Sequence, residues 1–354
     1  MVRVLIVEDS STMQMMLSEV LSSDPEIEVV GVASDGREGV TQTKKLKPDV
    51  ITMDIRMPRM DGFEATRCIM SECPTPIVVV SASIDSPDLN ISFNAMQAGA
   101  LDIVEKPKGD AKDFNAIRDR LVTAVKLMSE VKVIRRRNRP EPAARSALPV
   151  AEFSSGMLSA VKMSRPALLA IGSSTGGPAA LNVVLRGLPR DLPVPVVIVQ
   201  HISNGFTKGL VDWLQRESAL PLKIGQQDQR VYPGEVYFAP DDCHMIMLKR
   251  GILGMKKSPP VSFVRPSVTV LFQTIAEIYG DQAIGVILTG MGDDGAVGLR
   301  DMRDKGAVTL VQDEATCVVF GMPKAAIELG AARSTLPLEQ ISGRIEKLLA
   351  NVPG

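Results

Sequence analysis

Three glycine-flanked turns in this chain carry the side chains that nucleophilic chemistry needs. The first is Gly172-Ser173-Ser174-Thr175-Gly176-Gly177, directly after the apolar run 167–171. Glycines allow a tight turn and close approach of another group. A serine there can be lifted out of a sheet as a nucleophile, in the G-x-S-x-G manner. The same residues could instead cradle a phosphate at a helix N-terminus. A serine nucleophile needs a base, and the chain has only two histidines, His201 and His244. His201 closes the apolar run 196–200, the element after the serine turn in a βαβ unit, so both side chains should reach one sheet edge. His244 follows Ala239-Pro240-Asp241-Asp242 at the start of a later strand. It is expected at the opposite end of the sheet, in a structural hydrogen bond. The run 286–288 leads into Thr289-Gly290-Met291-Gly292-Asp293-Asp294-Gly295. One of these aspartates can hold an imidazole tautomer, and the other can cap the following helix. The order Ser, His, Asp differs from that of the α/β-hydrolases, chymotrypsin and subtilisin. A separate solution of the same geometry on a Rossmann-like sheet is therefore expected.

The first 125 residues carry a different chemistry. Glu8 and Asp9 follow the first apolar run, Asp54 the third, Ser81 the fourth, and Glu105-Lys106-Pro107 the fifth. Ligands of open α/β sheets sit at the carboxyl ends of strands. Carboxylates gathered there imply a hard cation, and magnesium suits a few carboxylates, waters and a phosphate. Asp54 could then form an aspartyl phosphate.

Such residues need a frame. Strands are expected over 2–7, 29–33, 50–53, 77–80 and 102–104, with helices over 12–21, 36–46, 63–70, 89–98 and 113–133. A second βα series has strands expected over 167–171, 194–199, 236–238, 244–248, 283–288 and 308–311. Its helices are expected over 178–188, 205–217, 268–279, 295–305 and 338–349. The fold class is thus α/β: two doubly wound parallel-sheet domains, one flavodoxin-like (βα)5 unit and one Rossmann-like unit. Between them, Arg135-Arg136-Arg137-Asn138-Arg139-Pro140 opens an Ala-, Ser- and Pro-rich stretch that reads as a linker. The divisions are 1–125, 126–162 (helical extension and flexible linker) and 163–354.

Forty Lys plus Arg against 41 Asp plus Glu leave a net charge of −1, which excludes a nucleic-acid footprint. The N-terminal apolar run is too short for a signal peptide, and no stretch approaches a membrane span. Cys68, Cys73, Cys243 and Cys317 lack metal-ligand spacing. Free thiols in a reducing cytoplasm are expected.

The first half resembles the receiver domain of bacterial response regulators along its length. The matching residues are Glu8-Asp9, Met53-Asp54-Ile55-Arg56-Met57-Pro58, Asp61-Gly62, Ser81-Ala82 and Lys106-Pro107. The resemblance implies phosphorylation of Asp54 by a histidine kinase. It also implies magnesium held by Glu8, Asp9, Asp54 and the main-chain carbonyl of Arg56, with Ser81 and Lys106 contacting the phosphoryl group. The position three before that lysine, often aromatic in receivers, is Ile103.

Residues 165–350 resemble the protein-glutamate methylesterase family of bacterial chemotaxis. The likeness rests on Ile171-Gly-Ser-Ser174-Thr-Gly-Gly, Val199-Gln-His201, Arg265-Pro-Ser-Val, Gly290-Met291-Gly-Asp-Asp294-Gly and Cys317-Val-Val-Phe-Gly-Met-Pro323. It implies Ser174 as nucleophile, His201 as base, Asp294 as orienting acid, and Thr175 and Met291 as oxyanion or substrate contacts, with no cofactor in this half. The substrate would be glutamate γ-methyl esters on the cytoplasmic domain of a chemoreceptor, with glutamine deamidation as a second activity. Neither nucleic acid nor membrane insertion is implied. Ser173 stands where the family usually has Ala, Asp293 where it often has Asn, and Thr269 where an acid is common. Two other classes compete. One is a receiver-regulated dinucleotide-binding oxidoreductase, weakened by the missing G-x-G-x-x-G spacing. The other is a noncatalytic signalling module.

Overall fold

The computed structural model describes residues 1–81, 95, 96, 98–106, 111–131 and 165–350. The expected helix over 89–98 and the linker beyond residue 131 fall largely or wholly outside these residues.

In the N-terminal half, β1 (Val2–Val7), β2 (Ile27–Ala33), β3 (Val50–Met53), β4 (Ile77–Ser81) and β5 (Asp102–Glu105) form one parallel sheet. Their order is β2-β1-β3-β4-β5, the flavodoxin-like arrangement. Helices α1 (Ser11–Ser22), α2 (Gly36–Leu46), α3 (Gly62–Glu72) and α4 (Ala111–Ser129) accompany it. β3 and β4 are buried throughout, which is why they read as unbroken apolar runs. Asp35 and Asp61 cap α2 and α3 by accepting from Glu38 N and Glu64 N.

The C-terminal half has a seven-stranded parallel sheet, ordered β14-β13-β12-β6-β7-β9-β8. Its strands are β6 (Leu168–Ser173), β7 (Val196–Gln200), β8 (Leu222–Ile224), β9 (Val236–Phe238), β12 (Ala283–Ile287), β13 (Val308–Gln312) and β14 (Ser334–Leu336). The helices are α5 (Gly177–Arg186), α6 (Thr207–Glu217), α7 (Val268–Tyr279), α8 (Ala296–Asp304), α9 (Met322–Glu328) and α10 (Leu338–Ala350). The chain first builds outward from β6 through β7, then returns to add β12 on the other side of β6. That reversal creates a topological switch point, where a crevice opens at the strands' carboxyl ends.

α7 explains how the crevice is closed. Val268, Leu271, Phe272, Ile275 and Ala276 share one buried face, at the i, i+3, i+4 spacing of a core-facing helix. Full burial of each larger side chain stabilises by about 1.5–3 kcal/mol. Gly172 lets this helix reach the end of β6, because a Cβ there would lie 2.2 Å from Val268 Cγ1.

One expected strand needs correction. The segment 244–248 is no strand of the parallel sheet: β10 (His244–Lys249) pairs antiparallel with β11 (Ile252–Lys256) as a separate ribbon. The turn between them contains Gly251 at φ 75°, the left-handed conformation a tight hairpin demands. Four elements had no clear signal in sequence. β8 and β14 span three residues each and α9 seven, too short for a period to show, and β11 is half-exposed at its ends.

Candidate active site

β6 ends at Ser173, and the chain turns through Gly176 at φ 75° before α5 begins. The two adjacent serines part company here. Ser173 is fully buried and its hydroxyl donates to Gln200 Oε1 at 2.6 Å. Gln200 Nε2 in turn donates to the carbonyl oxygens of Ser174 at 2.8 Å and His201 at 2.7 Å. Ser173 and Gln200 therefore brace the turn, while the half-buried Ser174 hydroxyl has no hydrogen-bond partner among the described residues. Gln200 also packs tightly on the turn: a Cβ on Gly177 would lie 2.0 Å from its Oε1.

His201 follows β7, the neighbour of β6, and its N–H donates to Ser173 O at 2.9 Å. Its ring Nε2 lies 2.8 Å from Asp294 Oδ2. A carboxylate in that position fixes the proton on Nε2, leaving Nδ1 as the basic atom on the open side of the ring. Among the described residues Nδ1 has no partner, so the Ser174 hydroxyl and His201 Nδ1 are both free of competing hydrogen bonds.

Asp294 is 3% exposed and fully hydrogen-bonded. Oδ1 accepts from the Ser267 hydroxyl at 2.7 Å and Thr269 N at 3.1 Å. Oδ2 accepts from Val268 N at 2.7 Å in addition to His201. The donors besides His201 come from the first turn of α7, whose positive end favours a carboxylate. Asp294 thus does both jobs weighed in the sequence, although the helix it caps is α7 rather than α8. Asp293 is exposed. Burial works to raise the Asp294 pKa, but the His201 hydrogen bond and charge, the Ser267 hydroxyl and the Thr269 N–H outweigh it and hold the group at about 2.

A carboxylate with a depressed folded pKa stabilises the native state above its unfolded pKa and loses that contribution as pH falls through the folded value. From an ordinary 3.8 down to about 2, the contribution is about 2 kcal/mol, complete by pH 5 and fading towards pH 2. Urea unfolding of wild type and Asp294→Ala between pH 5 and pH 2.5 should show a shallower decline in the variant. Parallel declines would refute this account.

Thr289 and Gly290 complete the crevice. The Thr289 hydroxyl donates to Thr175 O at 2.9 Å and accepts from Val319 N at 2.9 Å, and Thr289 O accepts from Ser174 N at 3.0 Å. A Cβ at Gly290 would lie 2.7 Å from Ser174 Cβ, so only glycine lets this loop touch the serine. Met291 follows, 43% exposed. Its N–H and that of Thr175 have no partner among the described residues.

Ser267, Thr269, Gln200 and Thr289 were missed as site residues. The Ser267 side chain caps α7 by accepting from Val270 N, and a serine before an apolar helical run is a visible signal. Thr269 Oγ1 accepts from Gly295 N at 2.7 Å, so this departure from the family pattern supports the turn after Asp294. His244 needs correction: it is fully buried beside the site, not at the far end of the sheet. Its Nδ1 accepts from Ser267 N at 3.1 Å, and its Nε2 faces Pro259 O at 3.1 Å. The expected structural hydrogen bonding holds, in a place the wrong sheet assignment had hidden.

The N-terminal half brings its own group together. Carboxylate oxygens of Glu8, Asp9 and Asp54 lie within 4.8 Å of one another. Lys106 Nζ is 2.7 Å from Glu8 Oε2 and 2.9 Å from Asp54 Oδ2. Burial raises the Asp54 pKa, and burial followed by the Asp54 charge raises that of Glu8. Burial alone would lower the Lys106 pKa, but the Asp54 charge and its hydrogen bonds to both carboxylates raise it. One ammonium cannot balance this acidic cluster, and an oxygen-ligated divalent cation fits it. Ser81 is buried at the end of β4, and Arg56 lies exposed in the loop after β3.

Residues 169–345 match the CheB methylesterase family, and residues 4–118 match the response regulator receiver domain. The chain is 46% identical to protein-glutamate methylesterase/protein-glutamine glutaminase 4 of Geobacter metallireducens, over 96% of this chain and 97% of that protein. It is 45% identical to protein-glutamate methylesterase/protein-glutamine glutaminase 1 of Syntrophus aciditrophicus, over 99% of each. The crystal structure of the Thermotoga maritima CheB methylesterase catalytic domain aligns with a TM-score of 0.50 at 42% identity, covering 53% of this chain and 99% of that one.

Proposed function

The chain belongs to the CheB methylesterase family, and on that premise we propose that it is a phosphorylation-regulated serine hydrolase acting on glutamate γ-methyl esters of chemoreceptors. The observation that carries the reading is the 2.8 Å pairing of His201 with Asp294, at strand ends flanking a serine whose hydroxyl is free. A dinucleotide-binding oxidoreductase is disfavoured by the same turn, which lacks the G-x-G-x-x-G spacing. A noncatalytic module would have no need of a free serine beside a hydrogen-bonded His–Asp pair.

Ser174 Oγ attacks the ester carbonyl as His201 Nδ1 takes its proton, and Asp294 stabilises the imidazolium. The Met291 and Thr175 N–H groups stabilise the oxyanion. His201 returns the proton to the departing methanol, leaving a glutamyl-Ser174 ester. Water then attacks with His201 again as base, releasing glutamate and restoring the serine. A glutamine substrate follows the same course with ammonia as leaving group, the second activity named for the relatives.

Residues 1–125 act as the receiver, joined through 126–162 to the catalytic domain 163–354. Asp54 accepts a phosphoryl group from a histidine kinase, and Ser81 and Lys106 contact it. Glu8, Asp9, Asp54 and the Arg56 carbonyl would hold Mg2+, which supplies positive charge to the phosphoryl oxygens. Phosphorylation adds about −1.5 to −2 of charge. Val318 and Val319, beside Thr289 in the catalytic half, pack against the receiver's apolar cluster, which includes Val4, Ile6, Val104 and Leu121. The new charge therefore arises in a domain that touches the crevice's supporting loop, and it biases that contact. The site of action is the cytoplasm, where receptor tails and kinases meet; among the described residues no helix is long and apolar enough to cross a membrane.

The test is methanol release from methylated chemoreceptor, with and without a small phosphodonor such as acetyl phosphate. Release that rises with the donor is expected. Release indifferent to it would remove the regulatory half of the reading, and no release at all would remove the catalytic half.

A further inference from the structure

The segment leading into α7 carries a feature that the triad does not explain. Val261 and Val264 exchange two backbone hydrogen bonds, N to O at 3.1 and 3.0 Å, closing a two-residue turn. Its central residues, Ser262 and Phe263, sit at φ 48° and 64°. A turn with both central residues left-handed is normally built from Asn-Gly, and a bulky side chain there is a conformational outlier. Phe263 is fully exposed, at 101%. The phenylalanine is thus doubly unfavourable within its own fold, in backbone and in solvation, and no contact among the described residues offsets either cost. Strain of this kind gathers at functional sites.

The turn is also held firmly. Arg265 donates to Asp242 Oδ1 at 2.9 Å and to Ser258 O at 3.0 Å. Pro259 O faces His244 Nε2, and Ser267 is tied to Asp294. Ser267 lies four steps along the chain from Phe263, a reach of at most about 14 Å. The substrate group is a side chain of another protein, so the surface around the crevice must meet that protein when Ser174 reacts. The half-exposed Met291 flanks Asp294 on the chain's other approach.

We propose that Phe263 is a docking anchor that inserts into an apolar recess of the substrate protein next to the esterified glutamate. The inference rests on the methylesterase reading given above. A rigid, pre-formed aromatic tip loses little freedom on binding and is the type of residue that dominates interface energetics.

The variant Phe263→Gly separates anchor from scaffold, because glycine relieves the left-handed backbone while deleting the ring. The full-length variant should melt at or above the wild-type temperature. Its KM for methylated receptor should rise about tenfold with kcat little changed, and hydrolysis of p-nitrophenyl acetate should be unaltered. Phe263→Tyr should restore the KM. Co-sedimentation of Ser174→Ala chains, with and without Phe263→Gly, on membranes carrying the methylated receptor reads docking without turnover, so a failure of the catalytic reading stays distinguishable. An unchanged KM and unchanged co-sedimentation would overturn the proposal. A raised basal rate at constant KM would also overturn it, placing the ring on the receiver instead.

Discussion

Asparagine in place of Asp294 is expected to lower kcat for methanol release by about 10⁴-fold, with KM within a few-fold of wild type. The size is borrowed from the corresponding change in a serine protease; the reason lies in this site. Oδ2 accepts from both His201 Nε2 and Val268 N. An amide nitrogen placed there would direct its protons at two donors. If the amide turns round, the conflict moves to the Ser267 hydroxyl and Thr269 N, which face Oδ1. In the first orientation His201 is driven to the tautomer with its proton on Nδ1, the atom proposed to take the serine proton, which can then no longer act as base. Substrate contacts are untouched, so the loss falls on kcat. Stopped assays of methanol release from methylated receptor measure it directly. An Asp294→Asn enzyme within tenfold of wild type would mean that Asp294 is a helix cap and nothing more.

The second large effect concerns stability. Lys106→Met is expected to destabilise the receiver by about 3–5 kcal/mol near neutral pH without divalent cations. That is the cost of leaving buried charge uncompensated. Lys106 Nζ lies within 2.9 Å of both Glu8 and Asp54 carboxylates, which are 1% and 6% exposed. Burial already raises the pKa of both. A carboxyl with a raised folded pKa favours the native state while protonated and opposes it once ionised. The variant's deficit should therefore shrink as pH falls, and added Mg2+ should restore part of the loss at pH 7 by supplying the missing charge. The receiver transition in urea unfolding of the full chain reports both trends. A midpoint that does not move on replacing Lys106 would show that the carboxylates are held neutral and that the ammonium is not needed.

The strands leading into Ser174, His201 and Asp54 were legible because parallel strands buried on both faces are apolar throughout. Such runs stop abruptly where a polar or glycine-rich turn begins, so the chemistry at their ends stands out. α7 was legible over its full length from the spacing of Leu271, Phe272, Ile275 and Ala276 behind a serine cap. What that cap holds was not legible. Ser267 and Asp294 stand 27 residues apart, and nothing local to either signals the other. His244 was misplaced for a related reason: whether an apolar run joins the main sheet depends on its partner strand. β11, the true partner, lies just beyond a turn at Gly251. Gln200 and Thr289 were passed over because a polar residue at a strand end looks the same whether it faces water or braces a catalytic turn. The doubled Ser173-Ser174 was an ambiguity of register. The contacts separate them: the buried Ser173 hydroxyl is held by Gln200, while that of Ser174 has no partner among the described residues.

Asp294 serves a helix end and an imidazole with the same two oxygens. Winding of the first turn of α7 and readiness of the base are therefore one equilibrium. If that turn frays, Val268 and Thr269 withdraw their N–H groups and the imidazole loses its orientation, even while the sheet beneath remains intact. Heating should thus silence the enzyme before it melts the fold, and cooling should return activity without any refolding delay.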